Sequence, residues 1–309
     1  MSTPVSEKRW TVLELVAWTA GWLQEKGFHN ARLNAELLLA GVLGLKRLDL
    51  YLQHDRPLRP EELAEFKQRL LRRAKREPLQ YIDGRAAFRD LLLSVDARVL
   101  IPRPETEVLV QAVLDWASAQ CPGPSAQEPR SGLAALDVGT GSGAIALALA
   151  TEGPFARVVA TDVSGEALEV ALRNRDEAAP GAPVDFRRGS LYGPVAEERF
   201  HVVVSNPPYV GEEEREGLDP EVRDWEPAGA LFAGAGGLDV IRPLVAGAPD
   251  HLEPGGLLAL EVGAAQAEAV AELIRATGAF EEPRVRRDLA GRERIVLAEL
   301  RELAPETGG

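Results

Sequence analysis

The chain has 309 residues, of which 45% are hydrophobic and 27% charged, and a net charge of −13. That balance is ordinary for a soluble globular protein, and its negative field opposes docking on nucleic acid unless a local basic patch overrides it. A lone cysteine, Cys121, excludes an internal disulfide, and no uninterrupted apolar run reaches the length of a membrane span.

The N-terminal residues read as helices. Thr11 and Glu14 form a capping-box pattern, and Val12, Leu13, Val16, Ala20 and Leu23 recur at helical spacing. Glu14 within this run and Gln24-Glu25-Lys26 after it are unlike a secretory leader, so a cytoplasmic location is expected. Gly27 is a stop. Asn30 is placed to cap a second helix, with Leu33, Leu37, Leu38 and Val42 facing inward. Pro60-Glu61-Glu62 opens a third, with proline in the first turn and acids at the positive end of the dipole. Arg69, Arg72, Arg73, Lys75 and Arg76 follow, read either as a solvated face near the helix end or as a docking patch for an acidic partner or RNA.

From Tyr81 the pattern changes. Leu91, Leu93 and Val95 alternate, and Val99-Leu100-Ile101 follow, with Gly84 and Asp96 as turn signals. These spacings predict a hairpin. A helix is expected after Ile101-Pro102-Arg103-Pro104-Glu105-Thr106-Glu107. Residues 120 to 132, with Cys121, read as a surface loop. Beyond them strands and helices alternate: Leu133 to Leu136, Ala144 to Ala150, Val158 to Ala160, Glu166 to Arg175, Val184 to Phe186, His201 to Val204, Leu257 to Val262 and Ile295 to Ala298. Alternation of this kind predicts an α/β fold, a mostly parallel sheet with helices on both faces. The expected organisation is a helical domain over 1–80, a hairpin linker over 81–101, an α/β domain over 102–302 and a frayed tail over 303–309.

Two segments carry chemistry. Asp137-Val138-Gly139-Thr140-Gly141-Ser142-Gly143 leaves the first α/β strand and enters a helix. Its glycines allow a tight turn and close approach of a ligand to the main chain. Asp162 ends the next strand, where a carboxylate can accept from both hydroxyls of a ribose. Asp137 is read as facing a ligand ammonium or as capping the loop. Ser190-Leu191, after the third strand, is placed to border an adenine. The second segment, Ser205-Asn206-Pro207-Pro208-Tyr209, follows the strand Phe200–Val204. Its prolines fix φ and remove N–H groups, Asn206 adds an acceptor oxygen and two donors, and Tyr209 offers a ring face. Such a shelf suits a planar –NH2 group, either an amide or a base amine. The glycine loop alone fits NAD or S-adenosylmethionine, but hydride transfer has no need of the shelf. His201 reads as a packed or edge residue, and the four histidines and single cysteine show no metal-ligand spacing.

Together these residues resemble class I S-adenosylmethionine-dependent methyltransferases with a Rossmann-like sheet. More narrowly, the chain resembles the peptide chain release factor glutamine N5-methyltransferases, the HemK/PrmC family. The narrowing rests on Leu100 to Glu107 and the helical N-terminal domain. Further matching segments are Trp225 to Leu231, Gly236 to Asp239, Glu253 to Gly256 and Glu261-Val262-Gly263. The resemblance implies methyl transfer to the glutamine of the Gly-Gly-Gln motif of bacterial class 1 release factors, gripped in part by the N-terminal domain; from the charge and the apolar runs, no membrane and no direct nucleic-acid partner are expected. It implies that Gly139, Thr140, Gly141, Ser142, Gly143, Asp162, Leu191 and Asn206 bind S-adenosylmethionine. Asn206, Pro207, Pro208 and Tyr209 are implied to bind the glutamine, with Asn206, Pro207 and Tyr209 catalytic. In this reading the Asn206 side-chain oxygen and the Pro207 carbonyl each accept one amide hydrogen, and Tyr209 stacks on the amide. Ser190 departs from the acid that many relatives carry. Glu105 and Glu107 are read as cofactor contacts, linker supports or first-turn carboxylates, and Arg103 as support for the site wall. The competing readings are a glutamine methyltransferase acting on a ribosomal protein, an adenine-N6 nucleic-acid methyltransferase, and a non-catalytic binding module.

Overall fold

The computed structural model describes residues 9–120 and 132–302. Cys121, most of the expected 120–132 loop and the 303–309 tail lie outside the described residues. The chain forms two compact units. One holds the residues up to Gly84 together with Pro220–Trp225, and the other holds Arg85–Asp219 and the residues from Glu226 on.

The first unit contains α1 (Val12–Glu25), α2 (Ala31–Leu43), α3 (Arg47–Leu52), α4 (Pro60–Ala74) and α5 (Leu79–Asp83). Thr11 caps α1 as its sequence predicts, in a reciprocal capping box with Glu14. Asn30 precedes α2 but makes no side-chain cap. Its carbonyl instead accepts from Asn34 Nδ2 at 2.8 Å. Leu33 and Leu37 are exposed at 36% and 41%, against the inward reading. Leu38 is buried as read, and helix α2 also buries Ala31, Ala35 and Leu39 against α1 and α4.

The basic run in and after α4 divides: Arg72 and Lys75 are exposed, whereas Arg73 is buried and most of the arginines are ion-paired within the unit. Arg73 is buried and donates to Asn34 Oδ1 at 2.6 Å, the Glu77 carbonyl at 2.8 Å and Glu221 Oε1 at 2.9 Å. Arg73 and Arg76 also place their guanidinium carbons 4.5 and 4.0 Å from the Phe28 ring centre. Arg72 pairs with Glu77, and Arg69 with Glu65 and Asp83. Glu221 belongs to the short helix α9 (Pro220–Arg223), whose membership in this unit nothing in its own sequence announces.

The second unit opens with a hairpin whose strands differ from those expected. β1 (Arg85–Phe88) pairs antiparallel with β2 (Leu91–Ser94), and Val99–Ile101 forms no strand. Then follow α6 (Pro104–Gln120), β3 (Leu133–Val138), α7 (Ala144–Glu152), β4 (Phe155–Asp162), α8 (Gly165–Ala178), β5 (Val184–Arg188) and β6 (Phe200–Ser205). After α9 come α10 (Ala228–Leu231), α11 (Ile241–His251), β7 (Leu252–Glu261), α12 (Ala267–Thr277), β8 (Arg284–Arg287) and β9 (Glu293–Glu299). One seven-stranded sheet has the order β5-β4-β3-β6-β7-β9-β8. Its first five strands are parallel, and β9 and β8 are antiparallel to their neighbours.

Because side chains alternate across a strand, each apolar run feeds two cores. Ala135, Val202, Val204, Leu257 and Ala259 pack on the α6–α7 side. Leu136, Val203, Leu258 and Leu260 pack on the α11–α12 side. Strands buried on both faces read as continuous apolar runs, which is why β3 and β6 stand out in the sequence. The chain leaves β3 outward through β4 and β5, then returns to the other side of β3 as β6. Ligands bind outside the carboxyl ends of the strands at such a switch point.

Candidate active site

The glycine loop leaves β3 at this switch. Gly139, Gly141 and Gly143 all have positive φ, +75°, +55° and +84°. The Gly139 and Thr140 N–H groups both donate to the Thr161 carbonyl, at 2.8 and 2.9 Å, which ties the loop to β4. A Cβ on Gly139 or Gly141 would meet nothing within 4 Å, so main chain faces open space there.

Asp137 is fully buried beneath the loop. Its Oδ2 accepts from Thr140 Oγ1 at 2.6 Å and from the Ala146 N–H at 3.1 Å. Of the two roles read for it, loop capping is the one its bonds show. Burial pushes the Asp137 carboxyl up to about 7, opposed by the Thr140 and Ala146 hydrogen bonds. Asp162, at the end of β4, accepts the Gly141 N–H at 2.9 Å and the Ser164 N–H at 2.8 Å, one on each oxygen. Each oxygen keeps acceptor capacity for a ribose hydroxyl.

On the other side of the switch, Ser205 Oγ donates to the Val138 carbonyl at 2.6 Å and locks the ends of β3 and β6 together. The chain then turns into Asn206-Pro207-Pro208. A cavity of about 520 Å³ is lined by Gly139, Gly141, Asp162 and Leu191 together with Asn206, Pro207 and Pro208. Pro227, Ala230 and Pro243 complete its apolar wall. Ser190 also lines it, as does Leu191, whose φ of +48° is unusual for a β-carbon residue.

Four predicted site residues do not line this cavity: Thr140, Ser142, Gly143 and Tyr209. The first three build the loop behind it. The Ser142 carbonyl accepts from the buried Asn174 Nδ2 at 2.8 Å, which anchors the loop to α8. Tyr209 packs against the α11–α12 core with the Arg294 guanidinium 5.7 Å from its ring centre. Its carbonyl accepts from Gln266 Nε2 at 2.9 Å. Burial, with the nearby Glu261 charge, pushes the Tyr209 phenol up to about 12. These contacts tie Tyr209, which stays partly exposed, to the core beside the shelf.

Thr106, Glu226 and Glu261 are site neighbours to which no motif in the sequence assigns a role. Thr106 Oγ1 donates to Glu261 Oε2 at 2.7 Å and accepts from Asn206 Nδ2 at 3.1 Å. Glu261 is 1% exposed, and burial pushes its carboxyl up to about 7 against the Thr106 hydrogen bond and the Arg294 charge. Glu226 accepts from Arg103 Nη2 and from the Ile101 N–H, which ties the segment before α6 to the residue preceding Pro227. Glu107 accepts the Arg89 N–H at 3.0 Å at the turn between β1 and β2, a hairpin support. His201 Nδ1 accepts from the Ala134 N–H at 3.1 Å, a packed histidine. Their signal in the sequence is position: Thr106 sits between Glu105 and Glu107, and Glu261 ends an apolar strand.

Residues 14–84 match the PrmC N-terminal domain, and residues 125–218 the methyltransferase small domain. The release factor glutamine methyltransferase of Geobacter sulfurreducens is 46% identical over 87% of this chain and 90% of its own length. That of Deinococcus radiodurans is 41% identical over 92% and 97%. The chain belongs to the release factor glutamine methyltransferase family. The match extends to Rhodopirellula baltica, 35% identical over 96% of this chain and 98% of the relative. Among solved structures, a methyltransferase from Pyrococcus furiosus aligns with a TM-score of 0.50 at 21% identity, over 77% of this chain and 98% of its own. The hMettl16 catalytic domain in complex with MAT2A 3'UTR hairpin 6 aligns with a TM-score of 0.52 at 14% identity, over 79% and 84%. At these identities the likeness shows the class I methyltransferase fold. No helix among the described residues is long and apolar enough to cross a membrane.

Proposed function

We propose that this chain transfers a methyl group from S-adenosylmethionine to the side-chain amide nitrogen, N5, of the glutamine in the Gly-Gly-Gln motif of bacterial class 1 release factors. The observation that carries this reading is a single cavity shared by the glycine loop, Asp162 and the Asn206-Pro207-Pro208 shelf.

The donor's side of the cavity fits. Gly139 and Gly141 leave main chain open to a ligand, because side chains there would occupy the free space. The Asp162 carboxylate is fixed by two backbone N–H groups and keeps acceptor sites for a ribose. Leu191 offers an apolar edge to an adenine. When bound, the sulfonium supplies a methyl group already activated for transfer, with a neutral thioether as leaving group.

The acceptor's side fits an amide. A carboxamide nitrogen is a poor nucleophile because its lone pair is delocalised, so alignment is the enzyme's main task. Asn206 Oδ1 and the Pro207 carbonyl each accept one N–H of the glutamine. As that nitrogen gains positive charge, both acceptors bind it more strongly, which is stabilisation of the transition state by fixed dipoles. Tyr209 braces the shelf through Gln266 and Arg294. The nitrogen's surplus proton leaves to water.

The deciding experiment offers the purified chain and labelled S-adenosylmethionine to release factor, ribosomal proteins and DNA in separate reactions. Label should enter release factor and map to the Gly-Gly-Gln glutamine. Label in ribosomal protein or DNA alone would overturn the reading.

A further inference from the structure

We propose that Glu261, acting through Thr106, is a positioning residue that decides which end of the Asn206 amide faces the cavity. This rests on the reading of Asn206 as an acceptor for the substrate amide.

A side-chain amide has two ends of nearly equal shape and opposite polarity. Turning Asn206 over would cost little in packing, yet would present donors to a substrate that itself offers hydrogens. Some group must therefore fix the amide. Thr106 has one hydroxyl hydrogen, and it goes to Glu261 Oε2 at 2.7 Å. The Thr106 oxygen is then left to accept, and it takes the Asn206 Nδ2 hydrogen at 3.1 Å. An ionised carboxylate has no hydrogen to give, so the direction of the relay is set at Glu261 and runs outward. Asn206 Oδ1 is left pointing the other way.

The location supports a task beyond packing. Glu261 ends β7 and is 1% exposed, and Thr106 in the first turn of α6 is 4% exposed. A buried carboxylate is weak support for stability, and an apolar side chain of the same volume often serves as well or better. Four groups act on Glu261 from the elements around it. Arg294 on β9 and Arg103 before α6 favour its charge, whereas Glu105 on α6 opposes it. The Tyr209 phenol, after β6, is also within its field. With a proton on Glu261 the relay can run backwards: the carboxyl donates to Thr106, Thr106 donates to Asn206 Oδ1, and the amide turns its –NH2 to the cavity. Burial holds this carboxyl near 7, so the reversal falls in an accessible range.

The full chain is the test object, as wild type, Thr106→Val, Thr106→Ser and Glu261→Gln. Thr106→Val keeps the shape and removes the relay. It should lower kcat for release factor methylation by about tenfold, the worth of one net hydrogen bond. Calorimetric affinity for S-adenosylmethionine should be unchanged. Thr106→Ser restores the hydroxyl and should restore the rate. The acidic limb of the kcat–pH profile should flatten in Glu261→Gln, whose amide can both give and accept. A purely structural staple would lower the unfolding midpoint of Thr106→Val without changing kcat or the profile, and that result would overturn the proposal. Should the wild type leave release factor unmethylated, the functional reading fails by itself. The relay is then tested by the Asn206 Nδ2 proton resonance, assigned by its loss in Asn206→Ala. It should move on acidification in the wild type, and its staying fixed would overturn the relay.

Discussion

The Asp162 carboxylate holds the Gly141 N–H at 2.9 Å, so the end of β4 fixes the loop that follows β3. Asp162 thereby shapes the glycine loop while also lining the cavity. Asp162→Ala should weaken S-adenosylmethionine binding by about 10- to 100-fold, the range for losing hydrogen bonds to a charged group. Titration calorimetry reads this directly, and an unchanged affinity would remove Asp162 from the site.

Asn206→Ala tests the shelf. Turnover on release factor should fall on the order of 10²-fold, by analogy with the loss of one oxyanion-hole donor. Cofactor affinity should change far less, so the two variants separate binding from chemistry. Single-turnover methylation with saturating S-adenosylmethionine is the measurement.

The loop glycines differ in what a side chain would meet. At Gly143 a Cβ would lie 3.2 Å from Ala171 Cβ and 3.3 Å from Leu147 Cδ1, at a φ of +84°. Gly143→Ala should therefore destabilise the fold by about 1–3 kcal/mol through backbone strain and crowding. Gly139→Ala meets no neighbour and should lose less stability, with its larger effect on ligand affinity. Urea midpoints with and without S-adenosylmethionine distinguish the two.

Asp137 gives the stability of the fold a pH dependence of known sign. Its folded carboxyl is raised to about 7 by burial, against about 3.9 in an unfolded chain. The native state thus binds the proton more tightly. The group's favourable contribution is complete below about pH 4 and is lost as pH rises to about 7. Asp137→Asn keeps an oxygen for Thr140 and Ala146 and does not titrate. Urea midpoints across pH 4 to 8 should show the wild type losing ground to this variant as pH rises, and a constant difference would refute the assignment.

Much of this site was legible because its chemistry is local in sequence. The glycine loop, Asp162 and the shelf each follow a strand, and a parallel sheet gathers such ends at one crevice. What could not be read depends on contacts far apart in the chain. The Asn206–Thr106–Glu261 relay joins three elements over 155 residues between Thr106 and Glu261. The contacts of Tyr209 with the α11–α12 core and with Arg294 likewise join residues far apart in the chain. The hairpin is hard to place because Val99–Ile101 is apolar for burial, while the true partner, Arg85–Phe88, alternates in burial but has alanine at both central positions, so its sequence shows no clear alternation. β8 was invisible because all four of its residues, Arg284 to Arg287, are exposed.

Glu221 and its neighbours from Pro220 to Trp225 are counted with the helical unit, although the residues on either side are not. The polypeptide therefore passes between the two bodies three times rather than once. Cutting it after Gly84 would yield no clean pair of fragments: the shorter piece would lack the carboxylate that Arg73 holds at 2.9 Å, and the longer would carry an orphaned strap. Chimeras built from this chain need to exchange the strap together with the helices.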